Sequence, residues 1–599
     1  MAILKKIWRL LTPKERKQAI ITACFVLAAA LTDALGIASI LPFLTILANP
    51  ESIETNQWLN KIYSFFDFNS PREFLFYLGV LTLAMVILSS TIQFLSQFYA
   101  IKFAEMRRVS IGTRLLTRYL TQPYPFFLTR NSGDLTKNVL SEVDNLISRC
   151  LMPVVLLFSY GLHAAVIILL TIILEPKIGI VGVFIIGGIF CTIYLSLKKK
   201  INEIGQRSLA ANHHRFRVTH EAFGGIKQIK LHSLEYSFAN NFKQKTFDFS
   251  NYNASNEVMS IVPRFGIQVI IYGGMLTLLL ILISQGEDIK SILPTMGLLA
   301  FAGARLLPGF QNVYRSVVRL KFGTPSLDLI LNDLGDFREN IEILEPSAKQ
   351  ESIEFHQSIK LQNITYHYDM MDTPALNNVN MTISFQKTIG IVGLSGAGKS
   401  TIIDIILGLY KPSAGKLLID STVIDDSNLQ SWQSNIGYVP QEIYLLDAPI
   451  KDNIAFGQSE IDMERVTLAA KRASLDDFIT RELENGYDTV VGERGIRLSG
   501  GQRQRIGIAR ALYHDPAILV FDEATSAVDN ITEREILESI TQLSKSKTII
   551  MVAHRLNTVE HCNIIYVMES GRVVANGTYS ELAKNNEVFR AMLGTQDND

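Results

Sequence analysis

Hydrophobic residues are distributed in two different ways along the chain. Before Gln350 they gather in long uncharged runs; after it they come in short bursts separated by polar turns. Residues 74–101, 150–174, 178–197 and 265–286 contain no Asp, Glu, Lys or Arg. The run from Gln18 to Pro50 is interrupted only by Asp33, and that from Ser291 to Tyr314 only by Arg305. An α-helix needs about 20 apolar residues to cross the hydrocarbon of a bilayer. The pattern therefore predicts six membrane helices, near residues 17–48, 74–101, 146–174, 177–198, 258–286 and 289–314. Helices buried in a soluble core rarely run this long without charge, and the first run is too long for the apolar part of a signal peptide.

Basic residues orient the bundle. Lys5, Lys6, Arg9, Lys14, Arg16 and Lys17 precede the first helix, Arg107 to Arg130 lie between the second and third, and Lys198 to Arg217 follow the fourth. The connections near Glu175–Lys177 and Gln285–Lys290 are short and poor in positive charge. The positive-inside rule then places both termini in the cytoplasm. Periodic apolar residues in the cytoplasmic segments predict that the second to fifth helices continue as rods, reversing at the turn signals Asn131-Ser132-Gly133-Asp134 and Phe223-Gly224-Gly225. In one outer connection Trp58, Leu59, Ile62, Tyr63 and Phe66 fall on one helical face, opposite Asn60, Lys61 and Ser64. This predicts a short amphipathic helix near residues 56–68, either lying on the outer membrane surface or packed on the crossing helices as a lid.

Composition supports a membrane half without adding a partner. Charged residues are 19% of the 599, below the about 25% of soluble proteins, and 57 basic side chains balance 57 acidic ones. Zero net charge excludes a strongly basic nucleic-acid binder, and four cysteines without a CxxC pair exclude a disulfide scaffold or a zinc module. The expected division is an all-α polytopic membrane domain over 1–340, a linker over 341–354 and a soluble α/β domain over 355–599.

The soluble part carries the chemistry. An apolar strand around Ile389 runs into Gly393-Leu394-Ser395-Gly396-Ala397-Gly398-Lys399-Ser400-Thr401, followed by a helical pattern. In such a phosphate-binding loop, glycines let backbone N–H groups curl around phosphate oxygens, Lys399 reaches the outer phosphates and Ser400 ligates Mg²⁺. A second strand, Ala517 to Phe521, ends in Asp522-Glu523. Asp522 is placed to hold Mg²⁺ and Glu523 to polarise the attacking water.

Between the two comes Leu498-Ser499-Gly500-Gly501-Gln502, and with it residues 355–599 resemble an ATP-binding cassette domain. The resemblance implies that Tyr368 stacks on adenine and that Gln441 senses Mg²⁺ and contacts the membrane domain. It implies that Asp529 lies in the loop joining two sites and that His554 contacts the γ-phosphate. It also implies that Ser499, Gly500, Gly501 and Gln502 bind the γ-phosphate of ATP held by an opposite subunit. One chain has one such set, so the implied active unit is a dimer of two copies, with a paralogue as an alternative second subunit.

Membrane helices fused to one cassette resemble the half-transporter exporters of this superfamily over the whole chain. Gly492-Glu493-Arg494-Gly495, which in exporters contacts coupling helices, here near Gly133 and Gly225, belongs to the same resemblance. Asp33-Ala34-Leu35-Gly36-Ile37, Leu41-Pro42-Phe43-Leu44, Arg305-Leu306-Leu307-Pro308 and the outer amphipathic helix resemble bacterial lipid-linked oligosaccharide flippases. That implies a bacterial inner-membrane protein moving a polyprenyl-pyrophosphate sugar to the outer leaflet. An arginine within a membrane helix costs about 2.5–3.5 kcal/mol and so faces a cavity or a partner. Arg264 and Arg305 are candidates to bind the pyrophosphate, against snorkelling or an Arg305–Asp33 ion pair. Lipid A, peptide and multidrug exporters are the alternatives of the same architecture. An ATP-gated channel or regulatory subunit is the alternative of another class, and intact Glu523 and His554 argue against it.

Overall fold

The computed structural model describes residues 2–174, 176–285, 289–335, 353–368, 373–492, 495–523, 530–553 and 555–596. The chain divides into two compact units, the described residues of the first ending at 335 and the main part of the second beginning at 353.

In the first unit, short α1 (Ala2–Leu10) leads into α2 (Pro13–Ala38). Its start is set by a capping box: Thr12 Oγ1 accepts from the Glu15 N–H at 3.3 Å, and Glu15 Oε2 accepts from the Thr12 N–H at 2.8 Å. The first predicted crossing is not one straight helix. It breaks at Ser39 and resumes as α3 (Ile40–Ala48), because Pro42 has no N–H to donate to the Ala38 carbonyl.

The predicted amphipathic segment is α4 (Gln57–Phe65), but its apolar face is split. Leu59 is 7% exposed and packs with Ile46 and Phe74, while Trp58 is 76% and Phe66 65% exposed. The helix is thus a lid along its Leu59–Tyr63 edge and bears free aromatic surface along the other.

The remaining long helices are α5 (Pro71–Leu120), α6 (Met152–Leu174), α7 (Pro176–Gly224), α8 (Glu235–Ser284) and α9 (Ile289–Leu334). At 50 residues, α5 and α8 each extend about 75 Å, more than twice the hydrocarbon thickness. In α5 and α8 the rods expected from periodicity are therefore continuous with the apolar runs. Among the described residues, four helical runs are long and apolar enough to cross a membrane: Pro13–Ala48, Pro71–Leu120, Ser132–Leu174 and Glu235–Ile281. The other two expected crossings, 177–198 and 289–314, lie on α7 and α9, parts of which fall outside the described side chains. In the apolar window of α5 only 6% is buried, an exposure of apolar surface that water does not tolerate and a bilayer does.

Below the apolar zone the rods pack around charge. Glu142 is fully buried, accepts from Ser326 Oγ at 2.7 Å and Asn212 Nδ2 at 3.4 Å, and lies 4.0 Å from the buried Lys137 ammonium. The chain around it is wound as π-helix at Asn138–Glu142 and again at Ile147–Leu151.

In the second unit, two sheets are formed among the described residues. One is antiparallel, in the order β2 (Leu376–Ser384), β1 (Ser358–Tyr366), β4 (Ala414–Ile419), β5 (Thr422–Val423). The other runs β10 (Arg572–Gly577), β9 (Ile564–Glu569), β3 (Thr388–Gly393), β8 (Thr548–Val552), β7 (Ile518–Asp522), β6 (Ile436–Val439). In that sheet β6, β7, β8, β3 and β9 are parallel. Their near-continuous apolar runs are what burial on both faces requires, and β8 is buried at all five positions. Ile391 of β3 and Asp522 of β7 both pair with Val552, so the two strands deliver their carboxyl ends at one level.

Candidate functional site

At that edge β3 passes into a loop and then helix α10 (Lys399–Ile406). Gly396 and Gly398 have φ of +79° and +97°, which other residues rarely adopt. A Cβ at Gly398 would also stand 2.8 Å from Leu376 Cδ2. The loop turns tightly, with Leu394, Ser395, Gly396 and Ser400 exposed and Thr401 buried. The Lys399 ammonium, 6% exposed as a residue, donates to the carbonyls of Gly393 at 2.7 Å and Leu394 at 3.2 Å. Burial lowers its pKa, opposed by the charges of Glu523 and Asp522. A buried cation whose hydrogen bonds among the described residues go to carbonyls at a helix N-terminus fits a phosphate-binding cradle, and the glycine backbone fits the same group.

The acids expected at the end of β7 are beside it. Tyr438 donates to Asp522 Oδ2 at 3.4 Å, and Gln441 Nε2 donates to Glu523 Oε2 at 2.7 Å. Glu523 has φ of +51°, a conformation costly for a residue with a Cβ, and its N–H is anchored on the Val552 carbonyl at 3.0 Å. Strain at this one carboxylate aims it off the strand while Gln441 fixes one oxygen. Lys399, Ser400, Asp522, Glu523 and Gln441 thus share one edge of the sheet. Tyr368 reaches it too: its hydroxyl is 2.9 Å from Thr401 Oγ1, and its ring lies edge-on to Tyr366 and Tyr410. His554 and Asp529 lie outside the described residues, as do Glu493 and Arg494.

Two neighbours were not anticipated from sequence. Asp404 on α10 is pushed up to about 6, by burial first and then by the charge of Asp522. Tyr438 is raised by burial and by the same carboxylate. The signal for Asp404 is a single acid in the run Ile402-Ile403-Asp404-Ile405-Ile406; that for Tyr438 is its place three residues before Gln441.

The Ser499 segment forms the start of helix α11 (Gly500–Leu512). Ser499 Oγ accepts from the Gln502 N–H at 3.2 Å and Gln502 Oε1 accepts from the Ser499 N–H at 2.8 Å, a capping box that leaves the exposed end of a 13-residue helix facing outward. Its positive end is a second place suited to an anion.

In the membrane unit, Arg305 lies 3.7 Å from Asp33 Oδ1 and donates to Gln93 Oε1 at 3.1 Å and to Ser90 Oγ at 3.5 Å. The ion pair weighed from sequence is present. Asp33 is 2% exposed, yet its Oδ1 accepts no hydrogen bond among the described residues. Arg264 is exposed and has no ion pair among the described residues.

Two family models match the chain: one described as the ABC transporter transmembrane region over residues 37–287, the other as ABC transporter over residues 376–526. The heterocyst differentiation ATP-binding protein HepA of Nostoc sp. is 30% identical over 579 residues, covering 95% of this chain and 92% of the relative. The ATP-dependent lipid A-core flippase of Saccharophagus degradans is 30% identical, covering 85% and 86%. The leukotoxin translocation ATP-binding protein LktB of Mannheimia glucosida is 33% identical, covering 81% and 67%. Among solved structures, a bacterial Atm1-family ABC exporter with ATP bound superposes with a TM-score of 0.79 at 21% identity, covering 97% of this chain and 99% of that one.

Proposed function

The chain belongs to the ABC transporter family, as an ATP-driven exporter with a membrane-spanning helical unit and an ATPase unit, and from that premise we propose what it carries and how. It flips a lipid-linked, polyprenyl-pyrophosphate oligosaccharide from the inner to the outer leaflet of a bacterial inner membrane, as a homodimer working by alternating access. The observation that carries the substrate class is the Arg305 guanidinium, held within a membrane helix by an Asp33 carboxylate that is not fully satisfied. A cation so held can be drawn to a phosphate, and Arg matches pyrophosphate oxygens through its planar fork. The lipid A-core flippase relative supports a lipid-borne cargo and also the second reading, a lipid A-type amphiphile.

The site's own residues account for the ATPase step. Lys399 exchanges its loop carbonyls for phosphate oxygens, and the N–H groups around Gly396 and Gly398 cradle them. Ser400, Asp522 and Gln441 are the residues to hold Mg²⁺, which neutralises charge on the phosphates when bound. Glu523, fixed by Gln441, accepts a proton from the attacking water. His554 and Asp529 complete the set by the sequence resemblance alone. The Ser499 helix end serves the ATP of a second copy, so binding favours one state of the membrane unit and hydrolysis releases it.

Reconstituted with a fluorescent polyprenyl-pyrophosphate oligosaccharide, the protein should move it between leaflets only with hydrolysable ATP. Glu523→Gln should lower ATP turnover by about 10²–10⁴-fold while ATP binding persists. Arg305→Ala should stop flipping and spare basal ATP turnover; loss of both would make Arg305 structural. A cargo that stays in place while lipid A, peptides or drugs move would refute the substrate.

A further inference from the structure

Helix α1 is seated on the membrane unit by Ile7 and Leu10, which are 4% and 2% exposed, but its seat is incomplete. Between α1, α2 and α6 lies a cleft of about 590 Å³, walled by Leu4 and Trp8 of α1, Val26 of α2, Phe103 of α5 and Phe158 and Leu162 of α6. That volume is within the about 300–1,000 Å³ of ordinary ligand sites. The wall is apolar: its Thr22 hydroxyl is already spent on the Gln18 carbonyl at 2.9 Å.

The rim is cationic. Arg16 Nε donates to the Trp8 carbonyl at 3.1 Å, and its guanidinium lies 5.5 Å from the centre of the Trp8 ring that walls the cleft. Lys5, Arg9, Lys14 and Lys17 are exposed and have no ion pair among the described residues. Glu15, the sole acid among residues 2–17, is committed to Arg107 at 2.7 Å. An amphipathic basic helix at the cytoplasmic end of a membrane bundle meets the leaflet that carries anionic lipid.

We infer that this cleft binds an anionic glycerophospholipid of the cytoplasmic leaflet, with an acyl chain between α1 and α6 and the phosphate at Arg16. A zwitterionic lipid offers the same chain but a head group with no net charge to meet the basic rim. The site shares no residue with the ATP cradle or the Arg305 cluster, so it stands apart from the transport reading.

The test uses the full-length protein in detergent, titrated with phosphatidylglycerol or phosphatidylcholine carrying brominated acyl chains. The Trp8 signal is isolated by subtracting the quenching of a Trp8→Phe variant. Phosphatidylglycerol should quench Trp8 at about tenfold lower mole fraction than phosphatidylcholine, and Arg16→Gln should bring the two together. At Gly161, which also lines the cleft, a Cβ would meet nothing within 4 Å, so the side chain of Gly161→Phe starts into open space. It should abolish quenching by both lipids while ATP turnover persists. Equal potency of the two lipids in the parent protein overturns the inference, as does quenching that survives Gly161→Phe. No Trp8 quenching by either lipid also overturns it.

Discussion

Glu523 and Asp404 are two carboxylates near Asp522, the proposed Mg²⁺ ligand, and their surroundings give them different work. Glu523 is held off the strand in a strained conformation with one oxygen tied to Gln441, a geometry suited to a base. Asp404 is half-buried on α10, and burial and the charge of Asp522 push it up to about 6 from the ordinary 3.8. The folded protein therefore holds the Asp404 proton more tightly than the unfolded chain does. The stability tied to this group is complete below 3.8, declines as pH rises toward 6, and stays lost above it. Asp404→Asn should remove a penalty on the order of 1–3 kcal/mol at neutral pH, raising the thermal midpoint there and leaving it unchanged below 3.8. A variant that melts lower at neutral pH would show that the carboxylate makes a needed contact instead. The place of Asp522 and Glu523 was legible because they end a strand of apolar residues; the Asp404–Asp522 coupling was not, because it exists only once β7 and α10 are side by side.

At the scale of elements, what was legible follows from period and length. Long uncharged runs became helices, and the loop between strand and helix became a cradle, since few other structures accept those sequences. What escaped depends on neighbours: the break at Ser39, the π-helical turns, and the way α4 divides its apolar face between packing and exposure. Lys137 and Glu142 show the energetic side of such neighbours. A buried pair at 4.0 Å adds little by itself, because desolvating two ions offsets their attraction. Removing one charge is another matter. Glu142→Gln keeps partners for Ser326 and Asn212 but strands the Lys137 ammonium, and should destabilise the membrane unit by about 3–5 kcal/mol. Adding Lys137→Met should recover most of that loss, read as the thermal midpoint in detergent. If the double variant is no more stable than Glu142→Gln, the network rather than the charge pair holds α7 to α9.

For the whole molecule, the decisive fact is that each chain carries one phosphate loop and one Ser499 helix end. If a site is built from the loop of one copy and the helix end of another, the position of two defects should matter more than their number. Take mixed dimers, purified through two different tags, carrying Lys399→Ala and Ser499→Arg. With the two substitutions in separate chains, both defects fall in the same composite site, and the other site keeps an intact loop and an intact helix end. With both in one chain opposite an unaltered partner, each composite site is damaged once. Photolabelling with an azido-ATP analogue trapped by vanadate should therefore mark the Ser499→Arg chain in the first dimer and neither chain in the second. Labelling of the unaltered chain in the second dimer would mean that a chain completes its own site, and the reason for a dimer would have to be sought in the membrane unit.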